Sequence, residues 1–275
     1  MLLLQVLARY QRGFCVLALC LSAALLAGCE AMGIELKPGA KSILEVFAGP
    51  TPQDAAKWAV DPFDPDKRYR GTLLLANAPF AGEPVYVQLF VDNVKDSDPG
   101  VRAAAARGLG THGAPEHAPL LIERLEDGDV GVRTEAARAL QRIHSPSAIA
   151  PLIARTRPVV EAEPQVRLEA ANALGQYPEN RVVEQLITAL EDEDLAVNRE
   201  AHYSLRTLTG QDFGLDRAQW FAWYGSNQNL FAARTVYVYP VYNRKKIWYE
   251  YVPFIPGPPN ESASTPVGMT PGTLQ

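Results

Sequence analysis

Apolar residues recur at every fourth position in three stretches of the chain: Val101, Ala105 and Leu109, then Val132, Ala136 and Leu140, then Val166, Ala170 and Leu174. That spacing keeps returning to one face of a helix and predicts one buried stripe on each. The middle member is always alanine, which lets a partner helix approach closely. Polar residues repeat with the stripes. Asp98-Pro99-Gly100-Val101-Arg102 returns as Asp129-Val130-Gly131-Val132-Arg133, and again in Glu163, Val166 and Arg167. A weaker copy holds Asp194, Val197, Asn198, Ala201, His202 and Leu205, and a fainter one Asp66, Tyr69, Arg70, Leu73, Leu74 and Asn77. The five acids stand 32, 31, 34 and 31 residues apart. This is the period of a two-helix unit stacked on its neighbours, so the pattern predicts a solenoid. Each acid precedes its helix, where it can cap free N–H groups and meet the positive end of the dipole.

Each of these helices has a predicted partner before it. Thr51 with Pro52 starts one, carrying Ala55, Ala56, Trp58 and Ala59, and Asp61-Pro62-Phe63-Asp64-Pro65 ends it. Residues 84–94 pair with 100–110, 118–125 with 130–143, 147–156 with 164–174, and 181–190 with 195–208. In the fourth unit, Arg157-Pro158-Val159-Val160 must lengthen the turn or kink the first helix. Gly110, Gly113, Gly175 and Gly210 mark expected helix ends. Asp216 caps a helix over 217–224, whose Trp220, Phe221, Trp223 and Tyr224 suit a lid on the far end of the stack. Residues 235–242 and 247–254 alternate β-branched and aromatic side chains around Asn243-Arg244-Lys245-Lys246, a hairpin signal. From residue 256 onward Pro, Gly, Ser and Thr predict disorder.

The repeated acid, Val-Arg pair, alanine and leucine resemble HEAT repeats of the short bacterial kind, the group that includes the phycobilisome-lyase-like repeats. The resemblance covers residues 50–210 and implies an all-α, right-handed α-solenoid of about five two-helix repeats. It also implies a hydrogen-bond ladder from repeat to repeat, built by Asp98 with Arg102, Asp129 with Arg133 and Glu163 with Arg167. Asp66 with Arg70 would extend it backward. Asn198 replaces the arginine in the last copy, where the ladder should stop or be rescued by Arg199.

The N-terminus carries a different pattern. Arg9 and Arg12 precede the apolar run Phe14–Ala27, which at about 1.5 Å per residue is too short for a membrane core of about 30 Å. It suits the hydrophobic region of a signal peptide. Its end, Leu26-Ala27-Gly28-Cys29, resembles the lipobox of bacterial lipoproteins and implies that Cys29 becomes an acylated N-terminus. The alternative is an ordinary cleaved signal or an uncleaved anchor. Cys15 and Cys20 would leave with the signal, so Cys29 is the one thiol of the mature chain and no internal disulfide can form. Glu30 in place of Asp favours the outer membrane, facing the periplasm, under the family's sorting rule. The expected organisation is a signal over 1–28, a lipidated tether over 29–43, repeats and lid over 44–225, an aromatic hairpin over 226–255 and a tail over 256–275.

The formal charge of −5 becomes −7 once Arg9 and Arg12 are lost with the signal, and there is no basic tract to bind nucleic acid. His112 and His117 flank Glu116, but a solvated turn accounts for them better than a metal site. The His-Glu pairs of di-iron HEAT enzymes are missing, as are Gly-x-Ser-x-Gly and a phosphate loop. Bilin attachment, known among relatives with these repeats, would need an intracellular pigment partner. Neither cofactor nor catalytic residue is expected. The leading expectation is a monomeric, lipid-anchored scaffold that binds an envelope protein. An enzyme or enzyme accessory, lyase-like or metal-dependent, and a purely structural envelope protein are the alternatives. Candidate binding residues on the concave side are Glu135, Arg138, Arg142, Glu169, Asn172, Glu200 and Tyr203; mixed charge there suits a groove and equally any soluble helix. Tyr237, Tyr239, Tyr242, Trp248, Tyr249 and Tyr251 form a second candidate surface, unless they pack on the lid.

Overall fold

The computed structural model describes residues 50–239 and 263–269; Cys29 and residues 240–262 lie outside the described residues. Those described form an all-α solenoid. Five helix pairs succeed one another: α1 (Pro52–Ala59) with α2 (Pro65–Ala76), α3 (Pro84–Asn93) with α4 (Pro99–His112), α5 (Ala118–Arg124) with α6 (Val130–Leu140), α7 (Ile149–Arg155) with α8 (Pro164–Leu174), and α9 (Asn180–Ala189) with α10 (Leu195–Thr209). α11 (Arg217–Ser226) comes next as the lid. The Arg157–Val160 stretch lies in the lengthened turn between α7, which ends at Arg155, and α8, which starts at Pro164.

Helix starts obey the capping rule. Asp64, Asp98, Asp129, Asp194 and Asp216 each accept a backbone N–H from the first turn of the helix they precede. Glu163, one methylene longer, stands at the same place before α8 and makes no such bond.

The stripes are the core: Val101, Ala105, Leu109, Val132, Ala136, Leu140, Val166, Ala170, Leu174, Val197, Ala201 and Leu205 are all fully buried. They let α2, α4, α6, α8 and α10 pack directly on one another, while the first helices pack on their own partners and meet one another only sparsely. Second helices therefore form the inner layer. Gly110, expected at a helix end, lies inside α4, where an added Cβ would sit 2.8 Å from Ala139. Gly71 is tighter still, 2.3 Å from the Ala59 nitrogen.

A ladder does join the repeats, but through acids other than those expected. Arg102 donates through Nε and Nη2 to Asp127, Arg133 to Glu161, and Arg167 to Asp192, at 2.7–2.9 Å. Asp98, Asp129 and Asp194 are kept for capping. Each receiving acid lies two residues before a cap position and also accepts that residue's N–H, as in Asp129 N to Asp127 Oδ1 at 3.0 Å. The next arginine then donates to the backbone carbonyl of the same acid, Arg133 to Asp127 O at 2.9 Å and Arg167 to Glu161 O at 3.0 Å. The first rung is Arg68 to Asp96, at 2.7 Å. Asp66 with Arg70 is thus corrected: the first copy is Asp64-Pro65-Asp66-Lys67-Arg68, set 34 residues before Asp98, and Arg70 is exposed. At the far end the ladder stops at Asp192. Asn198 is too short to continue it, its Oδ1 buried without a partner, and Arg199 is exposed.

Trp220 is fully buried in the lid, its Nε1 donating to Gly214 O at 2.9 Å and its ring packed edge-on against Phe213. The C-terminal segments depart from expectation. Tyr239 and Ser264 exchange two backbone hydrogen bonds, at 2.8 and 2.7 Å, and Val267 pairs in parallel with Ile143 beyond α6. Residues 263–269 therefore have fixed places in a tail expected to be disordered: Ser264 and Val267 find backbone partners, and Pro266 is buried. The second strand of the expected hairpin, 247–254, lies outside the described residues.

Candidate protein-binding surface

The inner faces of α4, α6, α8 and α10 carry a second set of polar side chains, in columns set by the repeat spacing. Arg107 and Glu135 meet at 3.2 Å, and Glu135 takes Arg138 Nη1 at 2.7 Å. Arg138 also reaches Glu169 at 2.5 Å. Gln141 and Gln165 complete the Glu169 carboxylate, at 2.6 and 2.8 Å. Burial opposes the charge on Arg138, yet Glu169 and Glu135 hold its pKa above the usual arginine range. Further along, Asn172 donates to Glu200 at 2.5 Å. Burial raises the Glu200 pKa to about 7; the Asn172 hydrogen bond works against the shift and the Glu169 charge adds to it. Glu135 and Glu169 are matched by Arg107 and Arg138, whereas Glu200 is held by the neutral Asn172 amide, so the surface offers hydrogen-bonding partners more than strong net charge.

A strap of the chain's own lies across this surface. After the lid the chain returns along the second helices: Thr235 N donates to Thr207 O on α10 at 2.8 Å, and the Tyr237 hydroxyl donates to Asn172 Oδ1 on α8 at 2.6 Å. Tyr239 lies under the Arg142 guanidinium, 3.9 Å from ring centre to carbon, just beyond α6. Alternate side chains of an extended segment face one way, so Tyr237 and Tyr239 are buried at 2 % and 7 % exposure while Val236 stays out at 50 %. Burial lifts the Tyr237 phenol well above its ordinary pKa, with the Glu200 charge adding to the shift. Gly210 permits the return: it ends α10 in the left-handed region, and an added Cβ would lie 2.2 Å from the Ala233 carbonyl.

The expected binding residues are thus placed individually. Glu135, Arg138, Glu169, Asn172 and Glu200 belong to the internal network, Arg142 and Asn172 meet the strap, and Tyr203 is half-buried on α10. Tyr242, Trp248, Tyr249 and Tyr251 lie outside the described residues. Arg107 was missed by sequence reasoning, although it stands 31 residues before Arg138 in the same column. The histidines serve the fold: His112 bonds Ala76 O and stacks on Phe90, His144 bonds Gln176, and His202 bonds Asp212. Among the described residues no group of three or more His, Cys, Asp or Glu is placed to hold a metal ion, and no helix is long and apolar enough to cross a membrane.

Comparison with known families agrees with this architecture. Residues 87–160 match HEAT repeats, and residues 166–192 match the PBS lyase HEAT-like repeat. Among solved structures, the complex of CpcE and CpcF of phycocyanin lyase from Nostoc sp. PCC7120 is 22% identical, with a TM-score of 0.50 over 72% of this chain and 78% of that one. That likeness concerns the fold. A designed armadillo repeat protein is 15% identical, with a TM-score of 0.47 over 64% of this chain and 88% of its own. An engineered protein is 22% identical, with a TM-score of 0.46 over 63% and 85%. No curated protein matches significantly.

Proposed function

We propose that the protein is an exported, non-catalytic HEAT-repeat scaffold, anchored in the bacterial envelope through a lipid on Cys29, that holds a protein partner on its inner helices. The observation that carries this reading is the strap: the inner surface is shaped to take a length of extended polypeptide. The signal-like run ending in Leu26-Ala27-Gly28-Cys29 supports the anchor, since several acyl chains hold a protein stably where one binds reversibly. Crosslinking in intact envelopes and then capturing the full-length chain tests the scaffold. A defined partner should be captured by the wild type and lost on Glu135→Arg or Tyr203→Ala; a partner kept by both variants removes the inner surface from the reading. The anchor is tested separately. Cys29→Ala should abolish labelling by radioactive fatty acid and release the protein from membranes.

The PBS lyase HEAT-like repeat at 166–192 favours a second reading, an accessory to a lyase. Lyase activity on phycocyanin that depends on this chain would replace the scaffold reading.

A further inference from the structure

The strap is a short, extended, uncharged segment that binds by three kinds of contact. Its main chain bonds the end of α10 at Thr207, its first tyrosine gives a hydroxyl to Asn172, and its second tyrosine meets Arg142 face-on. Each recognises something any extended Tyr-x-Tyr segment carries. The ring and hydroxyl of such a tyrosine combine a large apolar contact with one directional bond, and a guanidinium over the second ring adds a cation–π attraction. On the surface beneath, Glu169 is paired with Arg138 and Glu200 accepts a hydrogen bond from the neutral Asn172 amide. A charged segment would gain little there and lose its hydration.

We propose that the inner surface of α6, α8 and α10 is a peptide-binding site for an extended, uncharged segment with tyrosines at alternate positions, occupied in cis by Thr235–Tyr239 and open in trans to a partner's segment of the same chemistry. The proposal deepens the scaffold reading and rests on it for the existence of a partner. A tethered segment acts at an effective concentration of order millimolar, so the cis strap holds off weak competitors. Only a partner that binds better, or a weakened strap, exposes the site, and apparent affinity falls by the fraction of molecules that are open.

The test uses the full chain and a fluorescent, C-terminally amidated peptide, Thr-Val-Tyr-Val-Tyr, the sequence of the strap. In anisotropy titrations Tyr237→Ala/Tyr239→Ala should bind it saturably and at least about 10-fold more tightly than wild type, since loss of about 1.4 kcal/mol from the strap is tenfold. A peptide with Phe for the first Tyr should bind about 5-fold more weakly, the share of one hydrogen bond. Adding Asn172→Ala to the double variant should remove that preference. No saturable binding to a double variant that still unfolds cooperatively near the wild-type temperature overturns the proposal, as does equal binding of the Phe peptide. Should the double variant not fold, Tyr237→Phe replaces it, and absence of any gain over wild type overturns the proposal. If the peptide fails while Glu135→Arg still loses an envelope partner, this inference falls and the scaffold stands. A bound peptide with no partner captured leaves the site and removes the scaffold.

Discussion

Arg167 lies with Nε 2.7 Å from Asp192 Oδ2, and the pair is the most deeply buried rung of the ladder, with side chains 5 % and 1 % exposed. Its guanidinium also donates to the carbonyls of Glu161 and Ala162, at 3.0 and 2.7 Å. One side chain thereby fixes both the turn of its own repeat and the turn of the next.

Removing one partner of such a buried pair strands the other, at about 3 kcal/mol or more. Arg167→Ala should lower stability by that order in denaturant titration. Arg107→Ala, which removes a side chain 39 % exposed in its pair with Glu135, should cost well under about 1 kcal/mol. Equal losses would show that burial does not set the strength of these pairs.

The close packing of the first unit gives a second expectation. Gly71→Ala would place a methyl 2.3 Å from the Ala59 nitrogen and 2.5 Å from the Ala55 carbonyl, so α1 must shift. We expect destabilisation of about 1–3 kcal/mol. Gly128→Ala, with nothing within 4 Å of the new methyl, should stay within about 0.5 kcal/mol of wild type. A thermal melt of each protein reads the difference.

Glu200 makes stability depend on pH. Its folded pKa, about 7, lies above the ordinary 4.5 of the unfolded chain, so between those values the folded state binds more protons. Its contribution to stability should therefore fall as pH rises from about 4.5 to 7, then level off. Glu200→Gln should remove this part of the slope while keeping a partner for Asn172. A variant as pH-dependent as wild type over that range would assign the slope elsewhere.

The strap should open on its own. Tyr237→Phe deletes the hydroxyl that Asn172 accepts and nothing else, at about 1 kcal/mol. Hydrogen exchange should quicken at the amides of Thr235, Tyr239 and Ser264, which bond across the strap, with little change in α4 to α8. Uniform acceleration would mean that strap and repeats unfold as one.

Much of this architecture was legible in the chain. Val101, Ala105 and Leu109 and their counterparts gave the second helices and the period, because burial of one helix face leaves a strict periodic trace. The ladder's arginines are legible for the same reason; its acids lie in the turns, off the periodic face of any helix. Asp96, Asp127, Glu161 and Asp192 each stand two residues before a cap acid, an acid-x-acid signature present in four copies. In the first copy Leu73 and Leu74 fill the paired apolar slots only when counted from Asp66; counted from Asp64 those slots hold Gly71 and Thr72, which are buried but do not stand out as an apolar stripe. The strap left no such trace. A five-residue segment with two tyrosines predicts a strand, but nothing in its spacing tells that Asn172 and Arg142 will be its partners.

The ladder also bears on how such a molecule can change over generations. Each arginine of the ladder engages the acid of the next unit, and each inner acid stands between two successive ladder arginines. Duplicating or excising one unit of 31 or 34 residues would bring an equivalent acid to each arginine and leave every joint whole. An insertion of a few residues inside a unit would break two joints at once. Length can vary in whole units, and selection on the joints is met without any new residue.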